Sequence, residues 1–280
     1  MTPNSEVRNQ NYPMHRLTLL TNPDICNLRC PLCFLRQRGV PAGFGEMPIE
    51  IARRAIEKYS DVCEVIPSTM GEPLLYSHFN ELLDICAESG IPLNLTTNGS
   101  FPGKWKTDEG MKKLVAACSD IKVSTLSYEM GGLEERAWRR NLEKLLEHRA
   151  SSVSLQVTLH RENFERAEQL LRWAEQVGIN RIKWNPVVFL DCASQELRNR
   201  FALPDGAVER LQGALHSDKV RCEGSLYFES SLGSCAVTGS DCTGNSSDCP
   251  FADEVWVWPD GHEDHCPNPR IRWAKSSYYI

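Results

Sequence analysis

Apolar and polar positions along this chain fall into two alternating rhythms. Six short apolar runs read as strands: Arg16–Thr21, Asp61–Ile66, Ile91–Thr97, Ile121–Leu126, Ser152–Leu159 and Arg181–Phe189. Between them the spacing changes to that of amphipathic helices. The segment from Pro48 to Tyr59 carries Ile49, Ile51, Ala52, Ala55 and Ile56 at helical spacing. Further helices are expected over Phe79–Ser89, Asp108–Cys118, Glu134–Arg149, Asn163–Val177 and Pro204–His216. Gly90 and Gly178 stand where helices stop, and Pro204 stands near a first turn.

Six strand–helix units in succession predict a parallel α/β architecture. A doubly wound sheet and a partial barrel fit the pattern equally well, and both gather functional groups at the C-terminal ends of the strands. The informative polar residues lie there: a cysteine trio after strand one, Gly71-Glu72 after strand two, and Thr97-Asn98-Gly99 closing strand three. Past residue 218 the texture becomes rich in Ser, Gly and Cys, with too few apolar residues to bury a core of its own. Metal ligation can supply the missing stability.

Composition narrows the function classes. With 280 residues and 41% hydrophobic positions, the chain can form one large domain, alone or with a small appendage. Its net charge of −6 gives no general basic excess for nucleic acid. The cluster Arg136, Arg139 and Arg140 reads as a solvated helix face. No apolar run is long enough to span a membrane. The polar start of the sequence lacks the apolar stretch of a signal peptide, so a cytoplasmic location is expected. Twelve cysteines in a reducing compartment point to metal before disulfides. Four of them, Cys63, Cys86, Cys118 and Cys192, are scattered and expected as small buried hydrophobes, though Cys63 or Cys192 could serve as a hydrogen donor.

The trio Cys26, Cys30 and Cys33 has C-x3-C-x2-C spacing directly after a strand. Three thiolates on one loop can hold three corners of an iron–sulfur cube and leave the fourth iron open, whereas electron-transfer clusters use four cysteines. A zinc site would want a fourth Cys or His, and none lies close in sequence.

The segment CNLRCPLCF resembles the signature of the radical S-adenosylmethionine (SAM) superfamily, apart from Leu32, which stands where that family usually has an aromatic residue. The resemblance implies a partial (β/α)6 barrel of the TIM type, a [4Fe–4S] cluster on Cys26, Cys30 and Cys33, and SAM chelated to the open iron. It also implies reductive cleavage of SAM to a 5′-deoxyadenosyl radical that abstracts hydrogen from a substrate. Met70-Gly71-Glu72-Pro73 is similar to the family's glycine–glutamate motif, in which backbone and carboxylate accept hydrogen bonds from the methionyl ammonium. Leu95 to Gly99, with Thr97 and Asn98, resembles the third-strand segment that borders SAM. Ser124 matches a serine that contacts SAM, and Arg136, or Arg139 in its place, stands for the arginine that meets the SAM carboxylate. Gln156 is a further position that could face the site.

In the tail, Cys249-x11-Gly261-x4-Cys266 contains VWVWPDG, which reads as a strand running into a tight Asp-Gly turn. It is similar to one half of the auxiliary-cluster segments (SPASM, or the shorter twitch form) of many radical SAM enzymes. That resemblance implies one auxiliary [4Fe–4S] cluster on Cys235, Cys242, Cys249 and Cys266, with Cys222 in reserve. A zinc clip using His262 and His265 is the alternative. The expected division is a core over 14–217 and a cysteine-rich segment over 218–280. The expected partners are a flavodoxin or ferredoxin electron donor and a peptide or small-molecule substrate, in peptide or natural-product modification. With the trio starting at residue 26, no leader-grasping domain is expected before it. A sugar or nucleoside metabolite is the alternative substrate, and a non-catalytic iron–sulfur or zinc protein is the alternative class.

Overall fold

The computed structural model of the chain describes residues 16–37, 43, 45–67, 70–125, 132–148, 152–190, 192–224, 226 and 254–264. The strands are β1 (Arg16–Leu19), β2 (Glu64–Pro67), β3 (Leu93–Thr97), β4 (Cys118–Thr125), β5 (Ser152–Leu159), β6 (Arg181–Pro186), β7 (Arg221–Glu223), β8 (Glu254–Val257) and β9 (Glu263–Asp264). The helices are α1 (Phe34–Gln37), α2 (Ile49–Lys58), α3 (Phe79–Ser89), α4 (Asp108–Ala117), α5 (Glu135–Glu147), α6 (Ala167–Val177), α7 (Gln195–Phe201) and α8 (Ala207–Ala214). Among the described residues one sheet holds every strand, in the order β7-β6-β5-β4-β3-β2-β1-β8-β9, and all neighbours are parallel except β8 and β9.

The two faces of this sheet differ in chemistry. Leu17, Leu19, Val65, Leu93, Leu95, Ile121, Val123, Val153, Leu155, Val157, Ile182, Trp184, Val255 and Val257 share one apolar core with the helices. The alternate positions carry Arg16, Glu64, Asn94, Asp120, Lys122, Ser154, Arg181 and Glu223, which bond to one another. A doubly wound sheet is covered by helices on both faces and is apolar on both. A parallel sheet with one polar face instead curls that face around a lumen, and this decides between the two architectures in favour of the partial barrel.

Local signals behave as their chemistry requires. α3 and α6 end at Gly90 and Gly178, both left-handed, with φ of 66° and 76°. The Thr107 hydroxyl caps α4 by accepting the Gly110 N–H at 3.1 Å. The segment expected as one helix over 163–177 divides into a 3-10 turn, Phe164–Arg166, and α6. α8 begins later than Pro204, after the left-handed Gly206. α7 has no counterpart in the sequence reading: it buries only Phe201, so it carries no apolar rhythm.

The sheet also runs past the expected boundary at residue 217. β7 extends it beside β6, and β8 inserts beside β1. A parallel edge strand leaves a row of unpaired N–H and C=O groups. The backbone of β8 meets that need, while its alternating Val255 and Val257 continue the apolar face. Among the described residues, no helix is long and apolar enough to cross a membrane.

Candidate active site

The cysteine loop leaves the C-terminal end of β1. The Cys33 N–H donates to the Cys30 carbonyl, and the Arg36 and Gln37 N–H groups donate to the Cys33 carbonyl, which starts α1. All three thiols are partly buried. Burial raises each pKa, and Cys30 is pushed up to about 12, with the neighbouring Cys26 and Cys33 adding to the effect. Opposing influences are already in place: the Leu28 N–H and the Asn98 amide point at the Cys26 sulfur at 3.4 and 3.7 Å. Arg36 also favours negative charge on Cys30 and Cys33. Hydrogen-bond donors and a cation around sulfurs withdrawn from water suit thiolates whose protons a metal has displaced. Among the described residues, no three His, Cys, Asp or Glu side chains converge on a point that one ion could occupy. The donor set, three sulfurs on one loop, fits an iron–sulfur cube with an open corner.

Gly71 and Glu72 hold this loop from beneath. Gly71 has φ of +76°, and a Cβ there would lie 2.1 Å from the Asn22 carbonyl oxygen. The Glu72 N–H donates to the Ile25 carbonyl at 2.8 Å, while the Asn22 side-chain amide donates to the Glu72 carbonyl at 2.7 Å. The carboxylate turns inward and accepts from the Thr97 hydroxyl (2.7 Å), the Asn98 N–H (2.7 Å) and the Leu74 N–H (3.3 Å). Burial raises its pKa to about 7, against the opposing pull of those three donors. At 1% exposure, Glu72 does not present its carboxylate to a ligand. The sequence reading gave that carboxylate to the methionyl ammonium; the structure uses it as a brace between the ends of β2 and β3.

Thr97 and Asn98 therefore have separate duties. The Thr97 hydroxyl is committed to Glu72, and the Asn98 amide faces Cys26 and the Asn27 side chain. Gly99, with φ of +79°, lets the turn pass Trp138: a Cβ would lie 2.5 Å from its Nε1. That Nε1 donates to the Ser124 carbonyl at 3.1 Å, and Asn141 on the same helix donates to the Gly99 carbonyl at 2.9 Å. α5 thus locks the ends of β3 and β4 together. The Ser124 side chain has no hydrogen-bond partner among the described residues and stays available. Arg136 is exposed near the start of α5, with no ion pair to these loops among the described residues. Arg139 pairs with Glu135 at 2.7 Å and lies over the Trp173 ring, so neither arginine reaches the site.

Three supporting residues carried no signal in the sequence. Asn22 ties the loop to Glu72. Gln37 donates to the Leu32 and Val188 carbonyls and accepts from the Leu190 N–H, joining the cysteine loop to the segment after β6. Trp258 joins Leu20, Met70 and Leu190 in a second apolar cluster, against which Phe34 and Leu35 pack. Among the scattered cysteines, Cys86 and Cys118 are buried as expected, whereas Cys63 and Cys192 are exposed. Cys222 is partly buried on β7. His262 is exposed in the turn after β8. Cys235, Cys242, Cys249, Cys266 and His265 lie outside the described residues.

The profile of the radical SAM superfamily matches residues 23–174, more than half of the chain. The 7,8-dihydro-6-hydroxymethylpterin dimethyltransferase of Methanocaldococcus jannaschii is 29% identical over 218 residues, covering 69% of this chain and 42% of that protein. The tungsten-containing aldehyde ferredoxin oxidoreductase cofactor-modifying protein of Pyrococcus furiosus is 23% identical over 176 residues, 55% of this chain and 47% of that one. The chain therefore spans less than half the length of either relative. Among solved structures, Streptococcus suis SuiB bound to S-adenosylmethionine superposes with a TM-score of 0.64 at 16% identity, over 91% of this chain and 60% of that one. The structure of anSMEcpe with bound AdoMet and the Cp18Cys peptide gives 0.61 at 17% identity, over 90% and 74%. The fold is the partial barrel of those structures, and the cysteine loop, the glycine–glutamate brace and the matched profile coincide at the strand ends: the chain belongs to the radical SAM superfamily.

Proposed function

We propose that this chain is an enzyme that cleaves SAM reductively and uses the resulting 5′-deoxyadenosyl radical to take a hydrogen atom from a substrate, in peptide or natural-product modification. The observation that carries the reading is the placement of three partly buried thiols on the one loop that leaves β1, with Asn98 and the Leu28 N–H aimed at Cys26. Cys26, Cys30 and Cys33 would hold a [4Fe–4S] cluster, which when bound would supply the electron for breaking the sulfur–carbon bond of SAM, with methionine and 5′-deoxyadenosine as the products. The residues around it position and shield. Gly71 brings backbone within van der Waals reach of the loop, Glu72 fixes the β3 end, and the Ser124 hydroxyl is the open polar group for the bound SAM. Gln37 and the Leu20, Met70, Leu190 and Trp258 cluster keep water from the loop's underside. A flavodoxin or ferredoxin serves as donor.

On the peptide side, SuiB has also been solved bound to its precursor peptide SuiA. Two observations favour a second reading, a small polar metabolite: the concave face of the sheet is charged, and one relative is named for a pterin. Within either reading, Cys235, Cys242, Cys249 and Cys266 are proposed as ligands of one auxiliary cluster in a segment over 218–280. The test is anaerobic reconstitution with iron and sulfide, followed by SAM and dithionite. Formation of 5′-deoxyadenosine supports the reading, and a fully loaded protein that forms none overturns it. Iron at about eight per chain supports the auxiliary cluster, and about four removes it.

A further inference from the structure

The polar face of the sheet divides into two levels. The lower level is densely paired. Arg16 bridges Glu64 and Glu254 at 2.6 and 3.0 Å. Asn94 joins Glu64 to Lys122 at 2.7 and 2.6 Å. Lys122 then meets Asp120 at 3.3 Å, and Asp120 pairs with Arg181, which also reaches Ser154. These pairs run across seven strands and leave the Arg181 Nε without a hydrogen bond, and they make this level a floor.

The level above it is sparsely paired. Strand register sets Ser124, Gln156, Lys183 and Glu223 side by side on β4, β5, β6 and β7. Ser124, Gln156 and Lys183 are each only partly buried, and none has a side-chain hydrogen bond or ion pair among the described residues. Glu223 gives Lys183 no direct partner, because its carboxylate bonds to Arg221 at 2.9 Å and lies 3.9 Å from Arg181. Glu254, the other acid that Lys183 feels, is held by Arg16. Burial first, then the like charges of Lys122 and Arg16, lower the Lys183 pKa. A withdrawn ammonium among like charges, with three donors and no acceptor to meet them, favours an anion beside it.

We infer that Lys183 and Gln156 form the substrate-anchoring subsite, and that they hold a negatively charged oxygen group, carboxylate or phosphate, on the molecule that receives the radical. The ammonium supplies charge, and the Gln156 amide supplies a donor one strand closer to Ser124, where SAM is proposed to lie. Such charge-assisted bonds set orientation as well as affinity. The inference rests on the proposed function only in taking the concave face as the substrate side.

The experiment is calorimetric titration of the reconstituted, SAM-bound enzyme with succinate, inorganic phosphate and neutral succinamide. At least one anion is expected to bind and succinamide is not; which anion binds identifies the group. Lys183→Met is expected to weaken that binding about tenfold, and Lys183→Arg to keep it within about threefold, since charge is retained. Gln156→Ala is expected to weaken it roughly threefold, and provides the test should Lys183→Met fold poorly. Lys112→Met, on the exposed side of α4, serves as the reference. Failure of both anions to bind the wild type overturns the inference, as does equal binding by the Lys183→Met and Gln156→Ala variants. Formation of 5′-deoxyadenosine by the wild type, assayed separately, reports on the proposed function and not on this subsite.

Discussion

The side-chain amide of Asn98 donates to the sulfur of Cys26 at 3.7 Å, so the end of β3 reaches across to the loop that follows β1. Hydrogen bonds to cluster sulfurs raise a reduction potential by stabilising the extra negative charge. Asn98→Ala is expected to lower the potential of the cluster by on the order of 40 mV, the one-electron equivalent of about 1 kcal/mol. Redox titration followed by electron paramagnetic resonance reads this directly. An unchanged potential would mean that the amide serves Asn27 and Ser100 only.

Gly71→Ala should be far costlier than a glycine replacement that meets only backbone strain. At Gly71 the new Cβ would lie 2.1 Å from a backbone oxygen, whereas at Gly206, with φ of +71°, nothing lies within 4 Å. Gly206→Ala is expected to cost about 1 kcal/mol and Gly71→Ala about 3 kcal/mol or more. Urea midpoints give the comparison, and iron content after reconstitution should fall only for Gly71→Ala. Equal costs at the two positions would contradict the close approach.

Glu72 gives stability a pH dependence of defined sign. Its pKa is raised from the ordinary value of 4.5 to about 7 by burial, so the folded state holds a proton that the unfolded state has released. The contribution is fully present below about pH 4.5 and is lost as pH rises to about 7. Glu72→Gln should flatten that part of the profile. The advantage of wild type over the variant, measured by urea unfolding, should therefore shrink between pH 5 and pH 8. An advantage that grows with pH would reverse the assignment.

Gln37 satisfies two carbonyls and one N–H, and its own exposure is 7%. Gln37→Leu keeps the volume and strands all three groups, for a loss of about 2–3 kcal/mol. Hydrogen exchange at the Leu190 amide should accelerate well beyond the change in global stability. Unaltered exchange there would show that the loop after β6 is held by other means.

Arg136→Ala should leave SAM affinity within about twofold, as for an exposed side chain without partners. A loss of tenfold or more in equilibrium binding would restore the role that its place in the sequence suggested.

The six central strands were legible because Val, Ile and Leu fall on alternate positions, and α3 came out residue for residue because Gly90 stops it. The cysteine trio and Gly71-Glu72 were legible because both are contiguous in sequence. What escaped was whatever depends on a partner far along the chain. Nothing near Glu72 announces that Thr97 and Asn98 will consume its carboxylate, and a lone Gln37 or Asn22 looks like any surface amide. Position along the chain placed Arg136 in the site, but α5 turns Trp138 and Asn141 inward and leaves Arg136 outside. The placement of β8 beside β1 had no local signature, since alternation marks a strand without naming its neighbour.

That placement orders events in time. β8 meets β1 across 238 positions of sequence, and the Leu20 N–H, just ahead of the cysteine loop, donates to the Val257 carbonyl at 2.9 Å. As the chain leaves the ribosome, the cysteines emerge long before the strand that supports them. Trp258 and its neighbours must arrive before Phe34 and Leu35 have a surface to rest on. Early domains can settle during synthesis, but a contact of this span waits for nearly the whole described chain. Iron delivered to the nascent loop would meet sulfurs still open to solvent and oxygen. The architecture therefore ties the closing of the cysteine loop to the synthesis of β8, and makes that strand the checkpoint between an open loop and a sheltered one.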